Sequence, residues 1–457
     1  MNQEYLIDSN SGFGESTQAE LAELRKALDI GYSQPVTGVG FDALRVESLE
    51  TTLKLLTYQA KHIKLWNQIP KLDAFSTVEE YNLLVQYGSD AGAFVAGGQT
   101  PETDDTTYQR ADQKVKYIGT TREVHHPATL VRTVPADLLA QETSNGALWM
   151  MGKIESSLFY ADATCDPLAW NGLYAQLVQG SGNVIDLRGQ PLDKDTLENA
   201  VQLSVDNFGL VTKFFSNPKV FTDFSKTLYP TQRTGLGQGG MAGTPIKGYS
   251  SLLGDLDFES DQFVKKGSVA PTTATSPKAP AAPTLGFTIN SGDGASLFGS
   301  ADAGNYKYQF TACNSYGESA PTSLSSAQNV ASGGSVTIVV TDGGGLYGAT
   351  FYKIYRTTKG GSTANQIGYF LPRTKSGTVY QATTSWTDEN SYLPSCFVGL
   401  MLDMTTQSLS FKQLSPMIKM PLAIVSPSIR WMQLLYGTPI MYAPKKNVAV
   451  INIGVQS

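Results

Sequence analysis

The chain has 457 residues, with 34 Lys and Arg against 40 Asp and Glu, a net charge of −6 and only 16% charged residues. That balance excludes the domain-wide basic footprint of a sequence-specific nucleic-acid binder. Three widely spaced cysteines, Cys165, Cys313 and Cys396, exclude a disulfide framework and a paired-cysteine metal knuckle.

The length suggests roughly three domains. The first residues, "MNQEYLIDSNSGFGES", lack the basic and apolar regions of a secretory signal. No uninterrupted apolar run reaches the length of a membrane span. Residues 1–40 are polar and read as an arm. Residues 41–75 hold a helix and a lead-in: Val46, Leu49, Leu53 and Leu56 form one apolar stripe, and Asp42 is a plausible N-cap.

Residues 76–122 read as an extended β-hairpin. Tyr81, Leu83, Val85 and Tyr87 alternate with polar residues, and Val115 and Tyr117 are opposed by Lys114 and Lys116. Between these runs lies a Gly-, Thr- and acid-rich tip containing Asp104 and Asp105, too long for a tight turn. A two-stranded ribbon is marginal alone in water, so this one should rest on another surface.

A long helix is expected over "ADLLAQETSNGALWMMGKIESSLFYAD", with a stripe of Ala147, Met151, Ile154 and Leu158. Trp149 falls on a different face, which suggests burial between layers, and Gly146 is a candidate break. Asp195 and Glu198 suggest a capping box for the next helix, and Gly209 its stop. Asn217 and Pro218 open another. A helix–strand–helix order here implies a compact α+β unit over 123–267, completed by 397–457.

Residues 268–285, "SVAPTTATSPKAPAAPTL", form a Pro/Ala/Thr linker expected to be extended. From 279 to 396 short strands alternate with Gly/Ser/Thr turns, the spacing of an all-β sandwich. Tyr306, Tyr308, Phe310 and Ala312 lie on one face of "YKYQFTACNSYGES" and are the candidate core of that inserted domain. This stretch resembles the penultimate strand and turn of fibronectin type III domains. "GATFYKIYRTTKGG" and "TTSWTDEN" look like that family's third and fifth strands. Their order is permuted, which points to an immunoglobulin-like sandwich.

Catalytic signatures are missing. His125 and His126 are adjacent in a probable strand, so their rings point apart, and His62 stands alone. The glycines of "TQRTGLGQGGMAGT" lack the lysine of a phosphate loop. "DGGG" at 342–345 lacks the alternating oxygen ligands of a calcium loop. "ETDD" at 102–105 reads as a solvated tip. The expectation is a protein that is no enzyme and has no cofactor or metal.

Arm, stripe helix, hairpin, long helix, α+β unit and C-terminal strands, in that order, resemble the major capsid proteins of tailed bacteriophages with the Hong Kong 97-type fold. "ALRVESLETTLKLLTY", "VQYGSDAGAFVAGG", "SLFYADAT" and "LSPMIKMPLAIVSPSIRWMQLLYGTPIMYAPKKNVAVINI" are similar to the large contractile-tailed, Twort-like group. The resemblance implies an α+β chain with an N-arm, an extended loop, a peripheral domain with a spine helix, an axial domain and the inserted sandwich. It implies self-assembly into hexamers and pentamers of an icosahedral head enclosing double-stranded DNA without sequence specificity. Tyr81, Leu83, Val85, Tyr87, Asp104, Asp105, Lys114, Val115, Lys116 and Tyr117 would then be intersubunit contacts. Portal, scaffold and decoration proteins would be partners, the virion capsid the location, and no membrane would be involved. The inserted domain would face outward, toward a host surface or polysaccharide. The competing reading is an adhesin or tail component that attaches to the host through the sandwich.

Overall fold

The computed structural model describes residues 57–88, 94–100, 102–131, 137–228, 247–272, 276–424 and 426–455. The expected arm, the stripe of Val46, Leu49, Leu53 and Leu56, and the glycine-rich stretch 231–244 lie outside the described residues.

The strand Phe397–Leu402 is buried along its whole length, as its unbroken apolar run requires of a strand covered on both faces. It sits inside a six-stranded sheet ordered Asn183–Asp186, Val448–Ile453, Phe397–Leu402, Lys213–Ser216, Gly254–Ser260, Gly248–Ser251. Successive side chains of a strand point to opposite faces. Leu400 and Leu402 therefore join one apolar cluster, with the helices Leu138–Tyr160 and Leu173–Gln179. Phe397 and Met401 join another, with Lys194–Val205 and Pro218–Leu228. A second sheet is ordered Lys71–Asp73, Leu409–Pro421, Ser428–Met441, Lys116–His125. Its inward residues Phe411, Leu435 and Met441 complete the first cluster.

Helix Leu138–Tyr160 is capped by Asp137, whose Oδ1 accepts from Leu139 N at 3.0 Å and Ala140 N at 3.1 Å. It runs unbroken through Gly146. That glycine is there for close approach: a Cβ would lie 2.4 Å from Gln433 Oε1 on the neighbouring sheet. The buried stripe is Gly146, Met150, Ile154 and Leu158, which corrects the expected Ala147–Met151 start by one residue. Ala147 and Met151 are half-buried beside it. Contact with Gln433 sets the helix rotation, and periodicity alone could not fix that. Trp149 is exposed, so the helix is not buried all round.

The next helix is capped by Asp193, accepting from Thr196 N at 2.8 Å, and not by an Asp195–Glu198 box. Glu198 instead accepts from Tyr249 Oη at 2.8 Å and Ser251 Oγ at 2.7 Å. Two tertiary hydroxyls displace the local reciprocal cap.

Residues 284–388 form two main antiparallel sheets and two short strand pairs, Gly304–Tyr306 with Gln328–Val330 and Lys375–Ser376 with Val379–Tyr380. One main sheet is ordered Gly317–Glu318, Tyr308–Asn314, Phe351–Thr357, Ala364–Pro372; the other Thr383–Asp388, Ser335–Thr341, Thr284–Asn290. They share one apolar core that includes Tyr306, Tyr308, Phe310 and Ala312. Within it Arg356, 1% exposed, pairs with Asp388 at 2.6 Å. Its guanidinium also meets the Tyr306 and Phe298 rings at 5.2 and 5.6 Å and Asn390 Oδ1 at 2.7 Å. Both terminal nitrogens of Arg356 and both oxygens of Asp388 have partners, which offsets the burial of the charges, while Arg356 Nε has none.

The linker is not a free tether. Gln366 N donates to Val269 O at 2.9 Å, and Asn314 Nδ2 to Lys278 O at 3.0 Å, so both ends of it lie along the sandwich. The unsatisfied backbone of an extended segment finds partners there.

Candidate functional site

Glu79 turns the chain into the ribbon, its Oε1 accepting from Phe75 N at 2.7 Å and Ser76 N at 3.0 Å. Strand Val78–Gln86 then pairs antiparallel with Thr107–Lys114, in register from Val78↔Lys114 to Gln86↔Thr107. No third strand joins these two among the described residues. At the root Tyr81 stacks edge-on against Tyr442 of the chain's own body, with centroids 5.0 Å apart, and burial raises its hydroxyl pKa. Leu83 is half-buried.

Beyond Leu83 the support ends. A bulge between Leu84 and Gln86 takes Val85 out of the alternation. Leu84, Val85, Tyr87, Val95 and Tyr108 are all exposed, and Phe94 is 100% exposed. Asp104 and Asp105 are exposed at the tip.

The predicted second strand needs correcting. Val115 N donates to Thr77 O at 2.9 Å and closes the ladder. Val115 itself is buried in its own chain, so it is no candidate contact. Lys116 and Tyr117 begin the separate strand Lys116–His125, which pairs with Ser428–Met441. Tyr117 stacks on Tyr436 at 5.1 Å, and Lys116 Nζ donates to Pro167 O at 2.5 Å. The ribbon thus ends at Lys114. Alternation runs across the junction without a break, so no local pattern marks the change of partner there. Asp104 and Asp105 lie at the tip and Lys114 at the root, so opposite signs are separated by the ribbon's length.

A feature that sequence reasoning missed locks the lead-in to the long helix. Glu155, fully buried, accepts from the backbone N–H groups of Lys64, Leu65 and Trp66 at 2.7, 2.6 and 2.7 Å. Asp261, also fully buried, faces it. Burial, and after it the neighbouring Glu155 carboxylate, push the Asp261 pKa up to about 8. A lone Glu on an apolar helix face was the available signal.

The sandwich is pinned to the body beside the crossing point of its two connections. Arg188 donates to Asn390 O at 2.5 Å and Leu297 O at 2.7 Å. Asn452 accepts from Leu393 N at 2.9 Å and donates to Ser391 O at 2.8 Å. Lys265 Nζ donates to Cys396 O at 3.0 Å, and burial lowers its pKa to about 8. At Gly267 a Cβ would meet the Phe397 ring at 2.9 Å.

Among the described residues no constellation for catalysis assembles. His125 ends a strand and His126 begins the helix His126–Leu130, a correction to the single strand expected for both. Both are exposed. Asp342 of the "DGGG" turn pairs with Arg373 at 2.9 Å. Among the described residues no group of three or more His, Cys, Asp or Glu could hold a metal, and no helix is long and apolar enough to cross a membrane.

No protein-family model matches the chain. Its full length is similar to two curated proteins, the major capsid proteins of Staphylococcus phage S25-3 and of Staphylococcus phage K. Each is 24% identical over 477 aligned positions, covering 98% of this chain and 98% of the relative. Among solved structures, that of Gordonia phage Cozz aligns at a TM-score of 0.45 and 8% identity, covering 97% of this chain and 98% of that one.

Proposed function

We infer that this chain is a major capsid protein, a non-enzymatic subunit of a phage head shell located in the virion capsid. The observation that carries this is the end-to-end correspondence with major capsid proteins, 98% of both chains. The ribbon agrees with it physically: its root packs on its own body while its tip leaves Tyr87, Phe94 and Tyr108 in water. Exposed apolar surface of this kind marks a protein contact.

The finer reading is a Hong Kong 97-type subunit. In it the ribbon is the extended loop, Leu138–Tyr160 is the spine of the peripheral domain, and the six-stranded sheet with its helices is the axial domain. Hexamers and pentamers are its assemblies, and Leu83, Val85, Tyr87, Asp104, Asp105 and Lys114 are its ribbon contacts. Residues 279–396 are an immunoglobulin-like insertion. Electron microscopy of the expressed protein, alone and with scaffold and protease, is expected to reveal shells, tubes or capsomers. A monodisperse monomer under all these conditions overturns the reading. Deleting 279–396 should leave assembly intact, whereas a host-attachment protein would lose its activity.

A further inference from the structure

We propose that a small aromatic monocarboxylate, about the size of benzoate, binds in the cavity between residues 261–269 of the body and the sandwich strand Ala364–Pro372, its carboxylate paired with Lys265. The site is independent of the shell function inferred above. The cavity measures about 210 Å³. A dry cavity of about 150 Å³ already holds a benzene ring, so one ring with one carboxylate fills this one. The body supplies Phe263, Lys265 and Val269 to its lining, and the sandwich supplies Gln366, Gly368 and Phe370. Phe263 packs edge-on against Tyr58 with centroids 5.3 Å apart, and Phe370 packs likewise on Phe351 at 5.9 Å. Both rings are thus held as fixed apolar walls.

The charge in the cavity is one-sided. Lys265 and Lys266 line it, and no Asp or Glu does. Lys265 N donates to Tyr160 Oη at 3.1 Å, which fixes where the side chain starts. Among the described residues, Lys265 Nζ has a single hydrogen bond, to Cys396 O at 3.0 Å, and no carboxylate beside it. An ammonium has three donors, so two are left for a ligand. Gly368 keeps them open: a Cβ there would lie 3.9 Å from Nζ, and any longer side chain would cover the amine. The lowered pKa of Lys265, about 8, is that of an ammonium buried without a counter-ion.

A carboxylate supplies that missing charge, and the apolar walls take the ring. One buried amine suits a single negative charge, whereas a phosphate dianion would leave oxygens without donors among Phe263, Val269 and Phe370. The ligand touches body and sandwich together, so its binding free energy adds to the attachment of one to the other.

The full-length chain titrated with benzoate, benzyl alcohol and acetate, followed by saturation-transfer NMR, tests this. Benzoate is expected to bind at millimolar concentration, the range of a fragment of its size. Benzyl alcohol lacks the charge and acetate lacks the ring, and each should bind at least about tenfold more weakly. Equal binding of either one overturns the proposal, as does the absence of saturable benzoate binding. Lys265→Met should weaken benzoate at least about tenfold and leave benzyl alcohol unchanged; unchanged benzoate affinity overturns the assignment of the amine. A photolabel needs no variant. Irradiation of the native chain with para-azidobenzoate should mark residues 261–269 or 364–372 in peptide mapping, and a label confined to other segments overturns the site.

Discussion

The sandwich and the ribbon are both built from alternating strands, yet one is self-sufficient and the other is not. In the sandwich, Phe310, Ile338 and Ile354 meet across two sheets and are fully buried. The ribbon has a single layer, so residues of the same types, such as Leu84, Val85 and Tyr108, stay in water. Alternation specifies a strand with two unlike faces. Whether that strand is stable depends on a second layer, supplied either by the same chain or by another.

Four experiments sharpen or break this contrast. The largest effect is expected at Arg356. Arg356→Ala leaves Asp388 buried and uncompensated, and should destabilise the sandwich by about 3–5 kcal/mol in denaturant unfolding followed by Trp386 fluorescence. Replacing both partners, with Arg356→Met and Asp388→Leu, should cost far less. Next is Ile154→Ala in the long helix, fully buried and expected to cost about 2–5 kcal/mol.

Asp261 gives a pH-dependent effect. Its ordinary pKa is 3.8, and its folded value is about 8. Between those values the folded state binds the extra proton, so stability falls as pH rises from about 4 to about 8, by up to about 1.4 kcal/mol per pH unit. Asp261→Asn, which does not titrate, should flatten that slope in unfolding curves taken across the window. An unchanged slope would mean that Asp261 is not the group that titrates in this window. The smallest effect on the isolated chain is expected at the ribbon tip. Phe94→Ser should shift its unfolding by no more than about 0.5 kcal/mol, while reducing the yield of assembled particles. A large loss of monomer stability would show that Phe94 is supported within its own chain.

Local signals were legible in the sequence wherever a residue's own neighbours decide the outcome. Asn217 caps the helix beginning at Pro218, accepting from Lys219 N at 3.1 Å. The alternation through Tyr308, Phe310 and Ala312 marks an inward face. Positions decided by distant partners were not legible. The one-residue rotation of the long helix depends on Gln433, the use of Glu198 on Tyr249 and Ser251, and the end of the ribbon on the strand Ser428–Met441. The proline-rich linker is expected to be extended, but its contacts with Gln366 and Asn314 have no local signal because those partners lie far along the chain.

The place of Phe397–Leu402 in its sheet bears on how the molecule is made. That strand pairs with Lys213–Ser216 on one side and Val448–Ile453 on the other, but the ribosome produces it only after the whole insertion. At about 5–20 residues per second, Phe214 and Phe215 wait roughly ten to forty seconds for their central neighbour. Strand Lys116–His125 waits longer still for Ser428–Met441. The nascent chain therefore carries half-finished sheets with open edges while the insertion is being synthesised, an interval in which a holdase chaperone would have most to protect.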